Sequence, residues 1–170
     1  MTEKEGRSGA LVFVTLRHRY SGPAVLAVEE EQEIVYREPP RPDAPTPQPE
    51  PAPAGEWEMQ WRPDSVLLFR YSALTFNGHR IHYDHPYVTQ VEGYPGLVVH
   101  GPLIATLLAE LLRRELPAAR LARFDYRAAS PLFAGAPFTV NGAPATDGKG
   151  AKLWAAGPAG QLAMEASAAL

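Results

Sequence analysis

The chain has 170 residues, 45% hydrophobic and 21% charged, the profile of a globular protein with room for one sizeable core. A net charge of −3 gives no reason to expect nucleic acid or a membrane surface as partner. The absence of cysteine excludes disulfides, thiolate metal sites and a cysteine nucleophile, and fits a reducing compartment.

The first residues, Met1-Thr2-Glu3-Lys4-Glu5-Gly6-Arg7-Ser8-Gly9, are polar and carry no apolar core of a signal peptide. No later run has the length of a membrane-crossing helix, so a cytoplasmic protein is expected. Ala10 to Tyr20 and Ala24 to Tyr36 are rich in β-branched and aromatic residues. With Ser21-Gly22-Pro23 between them they predict a β-hairpin. An isolated hairpin is marginal in water, so these strands need something to pack against. From Pro39 to Pro53, eight of fifteen residues are proline. Proline has no N–H and supports neither helix nor sheet ladder, so residues 39–54 are expected to be an extended spacer.

Beyond it, Trp57-Glu58-Met59-Gln60-Trp61 alternates apolar and polar residues as a strand does, and Val66 to Phe69 is a short apolar run. Leu103, Ile104, Leu107, Leu108, Leu111 and Leu112 form one wide apolar face. They predict a buried helix over 102–116, opened by Gly101-Pro102 and stopped by Pro117. Leu121–Ala129, Phe138–Ala143, Ala151–Ala155 and Leu162–Ala169 read as strands separated by turn residues. One buried helix among antiparallel strands is an α+β pattern.

Chemistry concentrates in Phe76-Asn77-Gly78-His79-Arg80-Ile81-His82-Tyr83-Asp84-His85, and in the turn Gly96-Leu97-Val98-Val99-His100-Gly101-Pro102. The first segment supplies acid/base groups. The second supplies backbone N–H groups at a helix start, where negative charge is stabilised. Three histidines at positions 79, 82 and 85 invite a zinc reading. On a helix, however, i and i+6 diverge by about 240°, so the rings would not converge and no metal site is expected.

The two segments, from Phe69 to Asp84 and from Glu92 to Leu103, resemble the MaoC-like hot-dog family. The likeness is strongest to its 3-hydroxyacyl-thioester dehydratase and mesaconyl-C4-CoA or itaconyl-CoA hydratase branch. His82 matches the signature histidine, and His100-Gly101 matches the downstream His-Gly pair. Asn77 stands where the wider family has aspartate, and His79-Arg80 stand where it has Asn-Pro. An amide cannot act as a base, so an Asp/His pair mechanism does not carry over unchanged. The resemblance covers about residues 57–142, and residues 10–38 look like the end of a preceding hot-dog unit.

It implies a hot-dog domain over 55–170, an antiparallel sheet wrapped around the apolar helix, after a hairpin remnant at 1–38. The expected activity is a hydro-lyase adding or removing water on an α,β-unsaturated or 3-hydroxy acyl thioester. The substrate would be an acyl-CoA or a carrier-protein thioester, with no metal or redox cofactor, in a homodimer. His82 is the expected acid/base, since imidazole titrates near ~6.5. Asn77 would hold water or a substrate oxygen, and the Gly101 N–H would bind the thioester oxygen, an interaction worth about 3–4 kcal/mol. His79, Arg80, Tyr83 and His100 would line the substrate. A hot-dog thioesterase using Asp84 or Glu92 is the enzymatic alternative, and a non-catalytic acyl-thioester-binding subunit is the other.

Overall fold

A computed structural model describes residues 2–6, 9–37 and 48–170. Its contacts divide the chain into two units, Met1–Pro47 and Gln48–Leu170.

In the first unit, β1 (Thr2–Gly6), β2 (Gly9–Ser21) and β3 (Leu26–Arg37) form an antiparallel sheet in the order β1-β2-β3. The hairpin stands where turn chemistry predicts it, with the Gly22 N–H donating to the Val25 carbonyl at 2.9 Å. The added strand β1 was not expected, because its sequence, Thr-Glu-Lys-Glu-Gly, is polar. Arg17 faces Glu31 and Arg19 faces Glu29 across the ladder as ion pairs. Leu11 to Val14 and Ile34 are half-buried, and none of the side chains described in this unit is fully buried.

In the second unit, five antiparallel strands run in the order β4-β6-β7-β8-β5. They are β4 (Trp57–Trp61), β5 (Arg123–Ala128), β6 (Phe138–Pro144), β7 (Gly150–Ala156) and β8 (Leu162–Ala169). The helices are α1 (Ser65–Leu74), α2 (His85–Gln90) and α3 (Gly101–Glu115). The sheet wraps α3, and this is the hot-dog arrangement that the resemblance implied. Leu103, Ile104, Leu107, Leu108, Leu111 and Leu112 are all buried, so the whole predicted face of α3 lies in the core. Against it stand Val140 of β6, Leu153 and Ala155 of β7 and Met164 of β8. Burying each such large side chain stabilises the fold by about 1.5–3 kcal/mol. Gly150 lets β7 pass close to β8: a Cβ there would lie 2.1 Å from the Ala168 carbonyl oxygen.

Of the expected spacer, residues 39–47 lie outside the described residues. Residues 48–54 are instead held to the sheet. The Glu50 carbonyl accepts from the Leu162 N–H at 2.7 Å, and the Pro53 carbonyl accepts from the Trp154 indole N–H at 3.1 Å. Proline lacks a donor but keeps its carbonyl, and here that carbonyl satisfies a buried indole.

Candidate active site

Helix α1 begins at Asp64, whose carboxylate accepts from the Leu67 N–H at 2.7 Å. It turns Leu68 and Ser72 inward and leaves Val66, Phe69 and Leu74 exposed. The chain leaves it through Phe76, which has φ 53 and is 95% exposed. A left-handed phenylalanine costs about 1–2 kcal/mol. It reverses the chain so that the Asn77 N–H reaches the Ser72 carbonyl at 2.9 Å. The Asn77 side-chain oxygen then accepts from the His79 N–H at 3.0 Å. That turn occupies one lone pair of the Asn77 carbonyl and leaves its amide N–H groups to donate.

A single 3-10 turn, Arg80–His82, carries His82 inward to 7% exposure. Its Nδ1–H donates to the Val98 carbonyl at 2.7 Å, while the Val98 N–H donates to the Ile81 carbonyl at 3.0 Å. With the proton on Nδ1, the lone pair sits on Nε2, which has no partner among the described residues. Burial pushes the His82 imidazole below its ordinary value. The Val98 carbonyl opposes that shift, and the neighbouring His79 adds to it.

The ring of His100 stacks on that of His82, centroids 3.7 Å apart and planes 18° from parallel. His100 is fully buried and bonds Ser72 Oγ through Nε2 at 2.8 Å. Burial first, then His82, push its imidazole down to about 4. Gly101, the next residue, opens α3, so its N–H has no acceptor within the helix and stands at the positive end of the helix dipole.

The other expected residues are less free. Arg80 is tied to Asp84 through Nε and Nη2 at 3.0 and 2.7 Å, and its guanidinium lies 4.0 Å from the Tyr87 ring centroid. The Tyr83 hydroxyl donates to the Gly78 carbonyl at 2.8 Å. The His79 ring meets His82 edge-on at 5.5 Å. His100, expected to touch substrate, has its side chain wholly inside and meets the site through the His82 ring. Asp84 caps α2 by accepting from the Tyr87 N–H, and Arg80 beside it holds its carboxyl below the usual carboxylate range. Glu92 accepts from the Tyr87 hydroxyl at 2.7 Å. The two carboxylates a thioesterase reading would use are therefore engaged in structural bonds. Among the described residues no three histidine or carboxylate side chains gather as a metal site.

Sequence reasoning missed Ser72 and the Val98 carbonyl. A polar residue on the inward side of an otherwise apolar helix is the signal that could have found Ser72. A backbone carbonyl leaves no signal in sequence.

The sequence model for hydroxyacyl-thioester dehydratase type 2 matches residues 2–134. The chain belongs to that family. Across its full length it is 48% identical, over 171 aligned residues, to the mesaconyl-C(4)-CoA hydratase of Chloroflexus aurantiacus, covering 60% of that protein. It is 34% identical over 127 residues to the mitochondrial hydroxyacyl-thioester dehydratase type 2 of Schizosaccharomyces pombe, covering 73% of this chain and 42% of the relative. The chain thus spans between two fifths and three fifths of the length of these curated relatives. Among solved structures it resembles a MaoC-like dehydratase from Phytophthora capsici with a TM-score of 0.76 at 13% identity. That likeness covers 98% of this chain and 58% of the other, and it shows the fold. The residues that the family model matches include Asn77, His82, His100 and Gly101.

Proposed function

We propose that this hydroxyacyl-thioester dehydratase family member adds water to, or removes it from, an acyl thioester at His82. The carrying observation is the orientation of that ring: Nδ1–H is held by the Val98 carbonyl and Nε2 is left as a base. In hydration, Nε2 takes a proton from water as the water oxygen bonds to C3 of the enoyl thioester. The displaced electron pair moves through C2 to the thioester oxygen, where the Gly101 N–H donates. The imidazolium then returns its proton to C2, and His82 is neutral again. Dehydration is the reverse. Asn77 donates from its side-chain amide to a substrate oxygen or to the water.

His82 must be neutral to start hydration, and its lowered value keeps it so at neutral pH. The 48% identity to a mesaconyl-C(4)-CoA hydratase supports an acyl-CoA substrate of that kind. A homodimer belongs to the same reading, supported by the exposed apolar side chains Val66, Phe69 and Leu74 of α1. A cytoplasmic setting belongs to it as well.

The test is mass spectrometry of crotonyl-, mesaconyl-C4- and itaconyl-CoA incubated with the chain and with His82→Ala. Gain of one water on at least one thioester, lost in His82→Ala, is the expected result. Release of free CoA without hydration overturns the proposal in favour of a thioesterase.

A further inference from the structure

Among the described residues, His82 is oriented by one hydrogen bond, to Val98. A bond at Nδ1 fixes the tautomer but leaves the ring free to rock about that bond. A base must present its lone pair to within a small angle, because a misplacement of about 1 Å costs up to about a hundredfold in rate. Among the described residues no carboxylate, lysine or arginine pairs with this ring or with His100. The titratable groups that do face the pair are His79, edge-on to His82, and Tyr71, tilted at 4.8 Å against His100. The plane of the His82 ring is therefore held by the ring stacked on it.

The His100 ring is in turn held at one atom. The Ser72 hydroxyl meets Nε2 at 2.8 Å, and no other partner of that hydroxyl exists among the described residues. The other ring nitrogen of His100, Nδ1, is buried and has no hydrogen-bond partner among the described residues. A phenylalanine would stack equally well and carry no stranded ring nitrogen. A buried polar pair that leaves one group unsatisfied, placed against the base, marks a function beyond packing.

We propose that Ser72 and His100 are positioning residues for His82: the Ser72 hydroxyl locks the His100 ring, and the locked ring sets the plane in which His82 presents Nε2. This rests on the hydratase reading for its rate consequence, but its geometric content stands apart from it. His100 is neutral near neutral pH, in keeping with its value of about 4, so the pair offers the imidazolium formed on His82 an aromatic face and no competing charge.

The test uses the full chain with Ser72→Ala, Ser72→Thr and His100→Gln, and follows two readouts. The first is the titration of the His82 ring protons by NMR, assigned with His82→Ala. The second is steady-state hydration of an enoyl thioester. Ser72→Ala removes one oxygen atom and is expected to lower kcat by about tenfold to a hundredfold, with KM within about twofold. It is also expected to move the His82 midpoint up towards that of a free imidazole, as the loosened stack admits water. His100→Gln acts in the same direction, and Ser72→Thr, which keeps the hydroxyl, restores both readouts. Unchanged kcat and an unchanged His82 midpoint in Ser72→Ala overturn the proposal, as does a threonine variant that behaves like alanine. If the parent chain hydrates no thioester, the hydratase reading falls, and the His82 titration alone decides the positioning role.

Discussion

Mild acid should destabilise this protein through His100 before its carboxylates titrate. Folding lowers the His100 imidazole from 6.5 to about 4, and burial is the leading cause. The unfolded chain therefore binds a proton that the folded chain excludes, and stability is complete above about pH 6.5 and falls as pH drops towards 4. The full loss from this one group is about 3 kcal/mol, of which about 2 kcal/mol has gone by pH 5. His82 shifts in the same direction and adds to it. Asp84, Glu110 and Asp125 have lowered values, so their contributions hold above the ordinary carboxylate range and are lost only below it. The interval from pH 7 to pH 5 thus isolates the histidines. Trp57, Trp61 and Trp154 all lie within residues 48–170, so denaturant unfolding followed by tryptophan fluorescence reports on the unit that holds the site. Between pH 7 and pH 5 the parent chain should lose about 2 kcal/mol or more, and His100→Phe should lose distinctly less. Equal losses in the two proteins would refute the assignment of a buried, neutral His100.

Leu108 is 0% exposed at the centre of α3, and Leu108→Ala should cost about 2–5 kcal/mol in the same unfolding assay. Phe76 adopts φ 53 with its ring in solvent, so Phe76→Asn, a residue that tolerates this backbone, should raise stability by about 1 kcal/mol. A loss of stability in Phe76→Asn would mean that the ring is covered in solution.

Where local chemistry dictates structure, the sequence was readable. Helix α3 has a wide apolar face between Gly101-Pro102 and Pro117, and it forms within a residue of those limits. The four strands after it follow their turn residues. Helix α1 was read only as a short apolar run, because Val66, Leu67, Leu68, Phe69 and Leu74 surround it and leave no polar stripe to reveal its period. Strand β1 escaped notice because it is polar and pairs on one side only. The proline-rich stretch was expected to be free of the sheet through residue 54. Its last residues dock there through carbonyls, which composition does not register.

The site divides in the same way. His82, Asn77 and Gly101 stood out by residue type and spacing. Arg80 and Tyr83 stood out for the same reason, yet their side chains tie down the turn that carries His82. Ser72 lies 28 residues from His100, and Val98 lies 16 from His82. Only the fold brings those pairs together.

The proposed hydration adds water across an enoyl thioester by a proton passing through His82. Its most direct test is incubation of crotonyl-CoA with the protein in deuterium oxide, followed by NMR of the product. The expected product carries hydroxyl at C3 and one carbon-bound deuterium at C2, with none above background from His82→Ala. Deuterated product at an undiminished rate from His82→Ala would contradict it, as would free thiol with no deuterium on carbon.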